Sequence, residues 1–159
     1  MPERQLQQSL GALRAEVVVP GARHVRVIRG RDGLNRRTKR RQLMGDAAVE
    51  ASSKGVYSDP VMQKFLDVAV ENVFGNLWTR PGLDDKIRAL ICVVSDTCTG
   101  REPELELHLR MALRQGWTED QLVEVMLHLS GYIGVPIIRE SMMVASRVFK
   151  EYRGEPGRS

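Results

Sequence analysis

Thr118-Glu-Asp-Gln-Leu-Val-Glu-Val-Met-Leu-His-Leu-Ser-Gly-Tyr-Ile-Gly-Val-Pro136 is the stretch on which the reading of the fold turns. Thr118 followed three residues later by Gln121 is a capping-box pair, a signal that a helix begins there. Leu122, Val125, Met126 and Leu129 then recur at the spacing of one helical face, where a strand would alternate every second residue. Gly131, Gly134 and Pro136 interrupt the period. The same grammar extends outward in both directions. Asp59-Pro60 reads as an N-cap and first-turn proline ahead of Met62, Phe65, Leu66, Ala69 and Val73, with Gly75 as the expected stop. Asp84 and Asp85 sit at the positive end of a helix carrying Ile87, Leu90, Ile91 and Val94. Glu102-Pro103 opens another, with Leu105, His108, Met111 and Ala112 on one face and Gly116 beyond its end. A last helix runs from about Ile137 to Tyr152, with Ile138, Met142, Ala145 and Phe149 facing the core. No strand pair or internal repeat is visible. The expectation is an all-α domain of five or six helices.

A chain of 159 residues with 42% apolar content has room for one globular domain. No apolar run approaches the roughly 18 residues that a membrane span needs, and no apolar stretch resembles a secretory signal, so the expected compartment is the cytoplasm. Two cysteines are too few for a disulfide scaffold or an all-thiolate zinc site. The formal charge of +4 invites a nucleic-acid reading, but its distribution does not support one. Residues 1–45 carry eleven Lys/Arg against three acids, whereas residues 46–159 carry thirteen against seventeen. The basic segment has no Phe, Trp or Tyr on which bases could stack. Its densest cluster, Arg36, Arg37, Lys39, Arg40 and Arg41, reads first as a solvated run entering a helix and second as a phosphate-binding or targeting patch. Residues 17–20 and 25–28 are at most short extended pieces.

Few residues here carry chemistry by spacing alone. Cys92 and Cys98 lie six positions apart, which is neither a C-x-x-C motif nor an easy pairing on one helix, and both read as small buried apolar side chains. His24 has no visible partner. His108 sits on an apolar helix face, where a satisfied core histidine competes with a catalytic one. His128 follows Glu124 by one turn and shares a polar stripe with Gln121 and Tyr132, which serves equally as a solvated or subunit-facing surface. There is no His-Glu-x-x-His cluster, glycine-rich phosphate loop or nucleophile elbow, so no metal site is expected.

Four segments together resemble the carboxymuconolactone decarboxylase family: Phe74-Gly-Asn-Leu-Trp-Thr-Arg-Pro-Gly-Leu83, Arg101-Glu-Pro-Glu-Leu-Glu-Leu-His108, Gly116-Trp-Thr-Glu-Asp-Gln-Leu-Val-Glu-Val125 and Tyr132-Ile-Gly-Val-Pro136. The resemblance covers residues 36–152 in the family's order. It leaves 1–35 as a basic extension and 153–159 as a tail. The Trp-Thr-Arg-Pro-Gly-Leu loop is similar to that of the branch acting on 4-carboxymuconolactone. The alkylhydroperoxidase D-like branch places two cysteines where this chain has Arg101 and Glu104, and a glutamate where it has Ala89. Peroxide reduction by that route is therefore disfavoured.

The resemblance implies an all-helical subunit assembled as a trimer or hexamer. It also implies a cofactor-free decarboxylation in aromatic-compound catabolism, the β-ketoadipate pathway, giving the 4-oxoadipate enol-lactone. The substrate, a small dicarboxylate lactone, is its own electron sink. The protein must hold the carboxylates, stabilise an enolate oxygen and deliver a proton to carbon. On this reading His108 is the acid and Glu104, one turn earlier, orients it. Arg80 and Arg101 grip carboxylates, and Trp78, Tyr132 and His128 complete the substrate pocket. Two departures leave the exact substrate open. His128 stands where the branch commonly has Gln, and bulky Ile137-Ile138-Arg139-Glu140 follows the Tyr-x-Gly-x-Pro motif in place of small residues. The competing readings are a catalytically divergent member acting on a secondary-metabolite acid, an inert helical assembly protein, and a nucleic-acid-associated protein.

Overall fold

The computed structural model describes residues 33–155. The expectations for most of the extension at 1–35, including His24 and the short extended pieces, and for the end of the tail, concern residues outside that range. Among the described residues there is no strand, and the elements are α1 (Gly33–Met44), α2 (Asp46–Lys54), a 3-10 turn (Val56–Ser58), α3 (Pro60–Ala69), a π-helical segment (Val70–Leu77), α4 (Asp85–Thr99), α5 (Glu102–Arg114), α6 (Glu119–Ile133) and α7 (Val135–Arg153). The seven α-helices exceed five or six because the region before Asp59 breaks at Gly45 into two. No helix among the described residues is long and apolar enough to cross a membrane.

The start signals act as their chemistry dictates. The Asp59 carboxylate accepts from the N–H groups of Val61 and Met62, Asp84 accepts from Ile87 N–H, and Thr118 and Gln121 exchange both capping-box bonds at 3.1 Å. Gly75 does not stop its helix. The chain continues through it in π-helical form, with Trp78 N–H donating to the Val73 carbonyl five residues back. The missing side chain serves packing instead, because a Cβ at Gly75 would lie 2.8 Å from Cγ and Cδ of Arg36, whose stem crosses there.

α4 packs most extensively on α5 and α6 on α7, with α5 also against α7 and α1 laid along the π-helical segment. The core joins Ala89 and Val93 of α4, Leu105, Leu109 and Ala112 of α5, Leu122 and Met126 of α6, and Val144, Ala145, Val148 and Phe149 of α7. Trp78 is buried in the same core. Trp117 Nε1–H donates to the Lys86 carbonyl while Lys86 Nζ donates to the Gly116 carbonyl, both at 2.9 Å, which pins the start of α4 to the α5–α6 turn.

The basic cluster of α1 is spent within the fold, which corrects its reading as a solvated run. Arg36 pairs with Glu71 at 3.4 Å, Lys39 with Asp85 at 2.5 Å and Arg41 with Asp46 at 2.7 Å. Arg40 is buried, donates to Ser52 Oγ at 2.9 Å and lies over the Tyr57 ring; burial lowers its pKa from the ordinary arginine value. Arg37 and Arg41 are the two of the five that stay exposed.

Leu109 is fully buried, and Thr97 is a fully buried residue whose hydroxyl has no hydrogen-bond partner among the described residues. Leu109→Ala is expected to lower the unfolding free energy by about 2–5 kcal/mol. Thr97→Val, which removes an unsatisfied group without changing shape, is expected to leave it unchanged or raise it by about 1 kcal/mol. Urea unfolding followed by circular dichroism measures both.

Candidate active site

Only Gly100 and Arg101 separate α4 from α5. Gly100 takes the left-handed conformation, φ 64 and ψ 33, in which a Cβ is disfavoured. Its N–H reaches the Asp96 and Thr97 carbonyls, and Arg101 N–H also donates to the Asp96 carbonyl at 3.1 Å. This turn folds α5 back on α4 and brings Asp96, in the last turn of α4, against His108 on α5. His108 Nδ1 lies 2.5 Å from Asp96 Oδ2. The Asp96 side chain is 9% exposed and that of His108 22%, so the carboxylate is enclosed while the ring keeps an opening to solvent.

Asp96 belongs to the buried stripe Ala89, Val93, Asp96 and Thr97 of α4. It was not singled out from the sequence, although a signal existed: an acid in an otherwise buried helical stripe needs a donor. One turn before it lies half-buried Cys92. Burial first, and the Asp96 charge second, push its thiol up to about 11, so it stays protonated near neutral pH and is no nucleophile. Cys98 is exposed, against the expectation that both cysteines are buried, and both are free thiols.

The structure brings together only some of the residues expected at the site. Glu104 does not hold His108 through Nδ1. It is exposed one turn away along the same helix, while the helix return sets Asp96 directly against the ring. Arg101 is exposed at the start of α5. Arg80 is exposed, and its loop is held by Arg88, whose guanidinium donates to the carbonyls of Arg80 at 2.8 Å and Leu83 at 3.2 Å. Neither Arg80 nor Arg101 has a carboxylate partner among the described residues, whereas Arg110, Arg114, Arg147 and Arg153 are all engaged with glutamates. His128 and Tyr132 are both exposed on α6, with ring centroids 5.2 Å apart. Trp78 lies beneath the surface in the core. No group of three or more His, Cys, Asp and Glu side chains able to hold a metal ion occurs among the described residues. What this arrangement can do chemically is move a proton at a carboxylate-held, half-open imidazole.

The chain matches the carboxymuconolactone decarboxylase family over residues 63–147, a span that includes Arg80, Asp96, Arg101 and His108. A 4-carboxymuconolactone decarboxylase of Acinetobacter baylyi is 34% identical over 123 residues, covering 77% of this chain and 88% of the relative. A nitrosuccinic acid decarboxylase of Metarhizium robertsii is 30% identical over 112 residues, covering 70% of this chain and 77% of the relative.

The two thiols are expected to separate by rate under timed alkylation read by mass spectrometry. Exposed Cys98 is modified promptly near neutral pH, and half-buried Cys92 only as the pH approaches about 11. Because the folded-state thiol value lies above the ordinary 9.0, the stability it contributes is intact below about pH 9 and is lost as pH rises toward about 11.

Proposed function

The chain belongs to the carboxymuconolactone decarboxylase family and is a carboxy-lyase, and from that premise we propose that it removes CO2 from a small dicarboxylate that carries its own electron sink, 4-carboxymuconolactone being the first candidate. The observation that carries this reading is the half-open imidazole of His108 against an enclosed carboxylate. The substrates named for the two relatives have a common chemical feature. In one, electrons left by CO2 spread through a ring double bond to a lactone carbonyl; in the other, a nitro group beside the carboxyl-bearing carbon accepts them.

The step runs as follows for the lactone. The bond from the ring carbon to the leaving carboxylate breaks, CO2 departs, and the electron pair moves to the lactone oxygen as an enolate. His108 gives its proton to carbon, the enol-lactone forms, and the ring regains a proton from solvent. Arg80 and Arg101 hold the carboxylates, a task for which unpaired guanidinium forks are suited. Tyr132 and His128 border the bound substrate. On this reading the substrate lies between Arg80, whose loop Arg88 anchors, and the His108 imidazole.

The working protein on this reading is a homo-oligomer, trimer or hexamer. A single chain leaves Val61, Phe65 and Val68 of α3, and Ile91 of α4, more than half exposed. Apolar surface of that extent marks a contact between subunits.

Incubating the purified protein with 4-carboxymuconolactone, and separately with 2-nitrosuccinate, and measuring CO2 tests the reading. Turnover of at least one is expected. His108→Gln should lower kcat by about 10²–10⁴-fold, and Arg80→Ala should cut kcat/KM roughly 10- to 100-fold, mainly through KM. No CO2 from either compound, or full activity in His108→Gln, overturns it. Sedimentation should give a trimer or hexamer that Phe65→Glu dissociates; a monomer at micromolar concentration removes the oligomer from the proposal.

A further inference from the structure

Buried carboxylates are costly unless a donor meets them, and the Asp96 side chain has one hydrogen-bonding side-chain partner among the described residues, the His108 ring. The contact is made through Nδ1. An ionised carboxylate can only accept, so the hydrogen in this bond belongs to the ring nitrogen.

We propose that Asp96 is the positioning residue of the decarboxylation: it locks His108 in the Nδ1–H tautomer, leaving Nε2 as the single ring atom that takes a proton from solvent and passes it to the substrate carbon. The proposal deepens the reading of His108 as the proton donor and rests on it. With Nδ1 occupied, Nε2 is unprotonated in the neutral ring and gains N–H only on protonation. Delivery breaks that Nε2–H bond, forms the C–H bond on the ring carbon next to the lactone carbonyl as the enolate collapses and the ring double bond shifts to the carbon that lost CO2, and returns the lone pair to Nε2. Each turnover thus consumes one solvent proton and leaves the Nδ1–H···carboxylate bond unbroken. Asp96 touches neither substrate nor proton in transit; it sets which nitrogen reacts and the angle at which it is presented.

The turn makes this geometry rigid. The same residue that offers its carboxylate to the ring offers its backbone carbonyl to Gly100 and Arg101, so the Asp96 backbone is anchored at the helix return itself. Glu104, which shares the His108 helix face, is exposed. Neighbouring Thr97 provides a control, since it is buried on the same helix and its hydroxyl has no hydrogen-bond partner among the described residues.

Nitrogen-15 NMR of the ring in the unaltered full-length protein tests the tautomer without any variant. The neutral His108 ring is expected to show a protonated Nδ1 and a bare Nε2. An Nε2–H tautomer overturns the proposal. Asp96→Asn is expected to lose the Nδ1–H signature and to lower kcat about 10²-fold or more with KM within about twofold, while Thr97→Val keeps both. Should Asp96→Asn fold poorly, Asp96→Ala assayed with added formate replaces it. Recovery of kcat by formate supports the role, and an active Asp96→Ala indifferent to formate removes it. If His108→Gln is inactive while Asp96→Asn retains wild-type kcat and tautomer, only the positioning role fails; if His108→Gln is fully active, the proton-donor reading fails with it.

Discussion

A carboxylate that cannot reach water must be met by a donor, and in this protein that requirement falls on Asp96 at the point where α4 turns into α5. Its backbone carbonyl closes the left-handed turn at Gly100, and its side chain receives the ring of His108 from the returning helix. A shift of α5 by one residue would turn His108 away by about 100° and strand the buried charge. The polar pair therefore holds the hairpin in the same register that seats Leu105 and Leu109 against Ala89 and Val93. Core and candidate site share one helix–helix interface.

Formal charge is a poor guide to partners here. Lys39 and Arg41 are turned to carboxylates of the same chain, Arg40 lies over Tyr57, and Arg36 drapes its stem over Gly75 while pairing with Glu71. Toward the other end, Arg110 is bound by Glu106, Glu151 and Glu155, and Arg153 by Glu119, tying α7 to α5 and α6. Among the described residues Arg80 and Arg101, like Arg37, Arg88 and Arg139, have no ion-pair partner, and the first two flank α4 at its two ends. Exposed pairs contribute little stability individually, so the assignment of guanidinium groups to partners bears more on which remain available to a ligand than on how firmly the fold holds.

Packing explains why the segment after α3 departs from regular helix. The π-helical widening at Val70–Leu77 and the bare backbone of Gly75 admit the Arg36 stem, which seats α1 along this segment. The outward side of α3 stays apolar at Val61, Phe65 and Val68. A chain of this size buries only about two thirds of the surface it exposes when unfolded, and this side of α3 is among the apolar surface left exposed.

Local chemistry written in consecutive residues was legible without coordinates. Asp59-Pro60, Asp84 and the Thr118/Gln121 pair start helices because capping needs only a side chain within three residues of an open N–H, and the 3.6-residue apolar stripes follow from helix geometry alone. The family likeness, the all-α class and the singling out of His108 came from such local patterns. Gly75 was misread because a glycine that ends a helix and one that admits another side chain look alike until the second element is in place. Glu104 was set beside His108 because sequence shows neighbours along one helix, whereas the group that meets the ring comes from the helix before. The sequence by itself determined where helices begin and which faces are apolar; only the tertiary structure decided which carboxylate holds His108 and which arginines stay free, because burial and pairing are properties of two elements brought together.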